Sequence, residues 1–185
     1  MFATRVISVF LTGLIVYLFS TMSDTAPSSS PNLQVRLQSP SIPASFTPPV
    51  AVSVKLSVHN NAESPVTLLN WGSPLDPRAN ILGVFEIRDT DTDEAVTIDT
   101  IKFSRKLPPP KGDFVQIAPG EAVDAEVTIP RVPLVEGHHY TIQAKGRWQA
   151  VWERAIEDVP SDDLDKLTNA ERGSFESEPV PVVRE

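Results

Sequence analysis

An all-β fold is predicted by this sequence: an antiparallel sandwich of roughly seven to nine short strands, with one short helix near the C-terminus. Three features point to it. Apolar and polar residues alternate at period two in several separate runs, the spacing that puts one strand face toward a core. Turn-forming residues recur between those runs at roughly eight- to twelve-residue intervals. The 18 prolines, about twice the usual ~5% share, are spread between apolar runs rather than gathered in a tail.

The elements follow in order. Leu33, Val35 and Leu37 alternate with Gln34, Arg36 and Gln38. A proline-rich loop, 40–49, leads to the cleanest signal, where Val50, Val52, Val54, Leu56 and Val58 alternate with Ala51, Ser53, Lys55, Ser57 and His59. A helix would scatter those valines around its axis. Asn60-Asn61 ends the run, because asparagine tolerates left-handed backbone and makes side-chain turns. Val66–Trp71 is the next strand, broken by Gly72 and Pro74. Ile81–Arg88 reads as a strand whose near-continuous apolar start implies burial on both faces or a bulge at Gly83, Asp89–Glu94 as a polar hairpin loop, Ala95–Ile98 as its return and Ile101–Phe103 as a short strand. Pro108–Pro110 lacks amide hydrogens and lies outside any central strand.

Phe114–Ile117 resumes the pattern, and Ala118-Pro-Gly-Glu121 is a type II turn signal. Ala122–Ile129 alternates again, with Val123, Ala125, Val127 and Ile129 on one face. Tyr140, Ile142 and Ala144 begin a strand that runs through Trp148 to Trp152, so unbroken alternation puts both tryptophans on one side. Ser161 is the expected cap of the short helix, with Asp162 and Asp163 at its positive end. Phe175–Val183 carries Pro179 and Pro181, which suits an edge strand. The whole is the pattern of an immunoglobulin-like sandwich.

Residues 32–185 make one domain of a size that folds without staples. There is no cysteine, which excludes disulfides, thiolate metal sites and cysteine nucleophiles. The net charge of −8 argues against nucleic acid as a partner, since phosphate needs a basic face. Arg5 precedes an apolar run, 6–19, shorter than the ~20 residues a spanning helix needs and suited to a signal peptide or anchor. Residues 1–21 are therefore a leader that makes the protein secreted or membrane-anchored, with membrane contact only through 6–19. The competing reading starts translation at Met22, treats 1–21 as a gene-model extension and puts the protein in the cytoplasm. Residues 22–31 are a Ser/Pro-rich linker in both.

No catalytic constellation emerges. His138 and His139 are adjacent, so in a regular strand they point to opposite faces and make a poor metal pair. Asp89, Asp91 and Asp93 imitate a calcium loop, but Glu94 stands where its glycine is needed and Thr100 where its glutamate is needed. No Gly-x-Ser-x-Gly, phosphate loop or His-Glu-x-x-His occurs. No cofactor or metal is expected.

Read in order, several segments resemble the N-terminal propeptide domain of fungal deuterolysin-type zinc metallopeptidases. They are Asn32–Leu37, the valine strand ending Val58-His-Asn-Asn61, Pro65–Asn70, Ile101–Phe103 with Arg105 and Leu107, Ile117–Glu121 and the acid-alternating strand after it, then Gly173-Ser174 and the last strand. The resemblance spans most of residues 32–183. It implies a domain that assists the folding of a peptidase and keeps it silent. The peptidase's zinc motif is not in this sequence, so no catalytic residue carries over. The Pro108–Pro110 run, the Trp148–Trp152 segment and the helix depart from the family pattern.

The expected function is thus a non-catalytic, propeptide-like protein-binding module, its partner a peptidase. The alternative is a carbohydrate- or apolar-ligand-binding sandwich using Trp71, Trp148 or Trp152. Functional surface on a sandwich is mostly loop-borne, and aromatics and arginine dominate interface energetics. Arg105, Pro109, Arg147, Trp148 and Trp152 are accordingly the expected contact residues.

Overall fold

The computed structural model describes residues 31–185, so the apolar segment 1–21 and all but the last residue of the linker lie outside the described residues. Two sheets face each other. The first has the order β1 (Leu33–Leu37), β3 (Val50–Asn60), β8 (Ala122–Val132). The second runs β6 (Glu94–Ala95), β5 (Phe85–Asp89), β9 (Tyr140–Trp152), β4 (Val66–Leu69), β7 (Phe114–Ile117). Strands β10 (Glu171–Glu176) and β11 (Val180–Pro181) also pair with β9. Val151 is flanked by Leu68 and Glu171, and Ile142 by Ile87 and Val180, so β9 is paired on both edges. A parallel pair, β2 (Ser41–Ile42) with β12 (Val183–Arg184), closes one end. All other pairings are antiparallel. Four of these strands have only two residues, and the longer ones match the expected number.

The alternation in β3 and β8 does what the sequence predicts. Val52, Val54, Leu56 and Val58 are all buried, and they stand opposite Ile129, Val127, Ala125 and Val123 in the ladder. Cross-strand partners share a face, so these pairs form one wall of the core. Val66, Leu68, Ile87, Ile117, Ile142, Trp148 and Val151 belong to the same buried cluster and supply the other wall. At the start of β9 the Tyr140 hydroxyl accepts the Val135 N–H at 2.7 Å and donates to the Val135 carbonyl at 3.3 Å. This ties the strand to the turn before it, as a tyrosine corner does in sandwiches of this kind. Burial raises the Tyr140 pKa above its ordinary value.

The structure corrects the reading of β9. Glu171 pairs with Val151 but Gly173 pairs with Trp148, so β9 carries one extra residue there. This bulge reverses the side-chain alternation. Trp148 and Val151 join the main core, while Ala150 and Trp152 turn to the outer face of the second sheet. Trp148 packs against Phe175 in a tilted pair with ring centroids 4.7 Å apart and planes at 46°. Gly146 makes room for that ring, since a Cβ there would lie 2.7 Å from Phe175 Cζ.

Trp152 sits in a second small core with Leu69 and Val159, to which Phe114, Leu164 and Leu167 are added. The helix α1 (Ser161–Lys166) supplies Leu164 and so covers an outer sheet face. Ser161 is its first residue rather than its cap; Pro160 holds that place without a side-chain bond. Among the described residues no helix is long and apolar enough to cross a membrane.

One expected strand is shortened and another is a loop. The Ile81–Arg88 strand begins only at Phe85, because Gly83 takes φ 76° and turns the chain. Ile101–Phe103 is irregular, joined to its neighbourhood by one backbone bond from Ile101 N–H to the Ile81 carbonyl (2.8 Å).

Candidate functional site

The loops after β4 and before β7 build a groove at one end of the second sheet. β4 ends at Leu69, and the chain folds back through Asn70–Ser73, where Gly72 takes φ 66°. This turn projects Trp71. The carboxylate of Asp76 is fully buried, and burying a charge is costly unless it is paired and hydrogen-bonded. Here it accepts the backbone N–H of Gly72 at 2.7 Å and of Arg78 at 2.9 Å. Arg105 Nη2 completes the set at 2.5 Å, with only 16% of its side chain exposed. Asp113 lies 3.9 Å from the same guanidinium and accepts the Trp71 indole N–H at 2.6 Å.

Arg105 thus ties its loop to the turn after β4. Its guanidinium is 5.2 Å from the Trp71 ring centre and 5.5 Å from that of Phe103, while Arg78 lies 4.0 Å above Phe103. Two adjoining hollows, of about 530 and 600 Å³, share Trp71, Phe103 and Arg105 in their walls. The apolar side chains at the mouth are Ile101, Phe103 and Leu107, exposed by 49%, 47% and 55%. Arg78, Lys102, Lys106 and Lys111 are exposed nearby and enter no ion pair among the described residues.

The five expected contact residues separate. Arg105 is in the groove, yet its charge is committed to Asp76 and Asp113. Pro109 is buried and lines a different recess with Phe114, Val159 and Leu164. Arg147 is exposed on β9, opposite Ser174. Trp148 and Trp152 are 2% and 3% exposed, so neither offers a face to a partner or a sugar; the bulge packs each into its own core. Trp71 is the remaining tryptophan and the half-buried one. Phe103, Lys102, Lys106 and Leu107 are additions. Their signal in the sequence is the stretch 101–112, IKFSRKLPPPKG, which has four cations and no acid in a chain of net charge −8.

A second cluster, Asp89, Asp91 and His138, has ligand atoms within 4.8 Å of one another. His138 Nδ1 is 2.6 Å from Asp89 Oδ2, and the His139 N–H donates to Asp91 at 2.6 Å. Burial raises the Asp89 pKa, but the His138 bond and the N–H groups of Asp91 and Thr92 outweigh it and hold the carboxyl below its ordinary range. The backbone bond from His139 does the same for Asp91. Asp93 turns away to Arg88, at 2.9 Å. These contacts satisfy the hairpin tip internally. The melting temperature is therefore expected to be the same in EDTA as in millimolar calcium; a rise of several degrees with calcium would assign these groups to a cation.

On the outer face of β3, Ser57 Oγ lies 2.8 Å from His59 Nε2. No carboxylate orients the other ring nitrogen among the described residues, and neither residue lines any of the five most prominent hollows. A nucleophile needs both.

The fold and comparison with known sequences define the class. The chain belongs to the immunoglobulin-like domain family, whose model matches residues 32–183. It is similar to an uncharacterized secreted protein of Arthroderma benhamiae, 37% identical over 175 residues that cover 93% of this chain and 88% of the relative. Two solved structures share a looser likeness. Northeast Structural Genomics Consortium target SoR45 has a TM-score of 0.41 at 8% identity, covering 83% of this chain and 87% of that one. The yjhA protein from Bacillus subtilis has a TM-score of 0.25 at 13% identity, covering 72% and 78%. At those scores neither bears on function.

Proposed function

We propose that this chain is a secreted, non-catalytic protein-binding module that acts through the loop end around Trp71, Phe103 and Arg105. The observation that carries this reading is the groove itself: half-exposed apolar side chains beside a pinned Trp71, with Arg78, Lys102 and Lys106 in its walls and in no ion pair among the described residues. Aromatic and arginine anchors set in a hollow are what an energetic interface centre needs.

Secretion is supported by the name of the Arthroderma benhamiae relative and by the reach of the likeness. Ninety-three per cent of a 185-residue chain is about 172 residues, more than residues 32–185 can hold. The likeness therefore runs past Met22 into the apolar segment, as expected of a genuine leader. Within this reading, a deuterolysin-type peptidase is the partner that the propeptide resemblance suggests, and that finer assignment rests on the resemblance alone.

Two measurements test the two levels. The purified chain at micromolar excess is expected to lower the activity of a deuterolysin-type peptidase; unchanged activity removes the peptidase as partner. A photo-crosslinking amino acid at Leu107 is expected to capture a protein from the culture medium that the same group at Glu126, on the other sheet, does not. Equal yields at the two positions would remove the groove as a binding site.

A further inference from the structure

We infer that the groove takes an extended acidic polypeptide segment carrying an aromatic or branched apolar side chain, an assignment that rests on the binding reading above. Charge selects the first half. The protein as a whole is strongly acidic, at −8, yet Arg78, Lys102 and Lys106 line the two hollows of this one groove and enter no ion pair among the described residues. Asp76 and Asp113, the acids that line it, are already engaged by Arg105 and Trp71. Unpaired positive charge concentrated beside a concavity attracts and orients an anionic segment and repels a basic one.

Shape selects the second half. The hollows meet at Trp71 and Phe103, which leaves an aromatic saddle between two wells, suited to a chain that drops one apolar side chain into a well. The loop is held before anything binds. Arg105 is pinned to Asp76, Pro109 is buried, and Pro108 and Pro110 have fixed φ. A preformed site loses less entropy on binding. An anionic membrane is the weaker fit, because Ile101, Phe103 and Leu107 remain about half covered as walls of a hollow rather than projecting from a tip. A second copy of this chain would present acid through 157–165, which holds five acidic residues, and light scattering separates that outcome.

The test uses the purified chain and three labelled peptides: Glu-Asp-Phe-Glu-Glu-Leu-Asp-Glu, the same with both apolar residues changed to serine, and the same with every acid changed to lysine. Binding is read by peptide anisotropy and by tryptophan emission, which changes through Trp71 because the other two tryptophans are buried. The first peptide is expected to bind best, about tenfold tighter than either other. Raising salt and the double variant Lys102→Glu/Lys106→Glu are each expected to weaken it by about tenfold or more. Phe103→Ser is expected to erase the preference over the serine peptide, and Lys55→Glu, a charge reversal on the other sheet, to change nothing. Equal binding of the acidic and lysine peptides overturns the acidic assignment while leaving the groove as a binding site. Binding to phosphatidylserine vesicles with no peptide binding overturns it in favour of a membrane. A dimer by light scattering that the Lys102/Lys106 variant dissolves overturns it in favour of a second copy. Failure of all three probes, together with equal crosslinking at Leu107 and Glu126, removes the binding reading as well.

Discussion

Val54→Asp is expected to unfold the domain or leave it marginal, with a loss of about 4 kcal/mol or more from a total that for domains of this size is ~5–15 kcal/mol. Val54 is 0% exposed, stands opposite Val127 in the ladder and is flanked on its face by Val52 and Leu56. A carboxylate there has no donor within its wall. It must either be buried charged and unpaired or take up a proton, and both states cost free energy. Ser53→Asp, one residue away on the exposed face, is expected to cost less than about 1 kcal/mol. Urea denaturation of the two variants checks the assignment. Similar midpoints would show that the alternation of β3 does not separate core from solvent.

That contrast marks where the fold is legible in the sequence. In β3 and β8 every second residue is apolar over a long run, and a slip of one position would expose the whole apolar set. The pattern alone thus fixes both strand and face. β9 begins in the same way, and Tyr140, Ile142 and Ala144 are placed correctly by it. Its second half is misread, because Gln149-Ala150 looks like two more steps of alternation. The extra residue is visible only in the pairing with β10, where Glu171 and Gly173 skip across it. A bulge depends on the partner strand, and no local signal distinguishes it here. The same reason hides the role of the helix. Its start is legible in Pro160-Ser161, but its task, covering Trp152 on the outer sheet face, follows from the bulge.

The groove is half legible. Arg105 stands out as a cation beside a proline run, whereas Ile101-Lys102-Phe103 alternates and so reads as a strand. It is not one, because a strand needs a partner along its length, and here Ile101 finds one backbone bond before the prolines begin. Half-exposed Phe103 and Leu107 become a surface only once Arg105 is tied to Asp76. That link joins residues 29 apart in sequence, which no periodicity announces.

Arg105→Met is expected to cost about 3–5 kcal/mol, even though Arg105 lies at the surface of a loop. The reason is the partner it leaves behind. Asp76 has no exposed side-chain surface. Without the guanidinium it keeps the N–H bonds from Gly72 and Arg78 but remains a buried anion with no countercharge. Trp71 and Phe103 also lose the cation that lies near both rings. Adding Asp76→Asn to Arg105→Met is expected to recover part of the loss, because the amide oxygen still accepts a backbone N–H and carries no charge. The two changes are thus non-additive, as contacting partners are. Denaturation midpoints of the single and double variants measure this directly. A cost under about 1 kcal/mol for Arg105→Met would place the pair among weak surface ion pairs and would mean that the loop is held by its prolines. A large cost has a consequence for binding experiments. Loss of peptide binding in an Arg105 variant would then report a collapsed groove, whereas Lys102 and Lys106, which hold nothing in place, report contact.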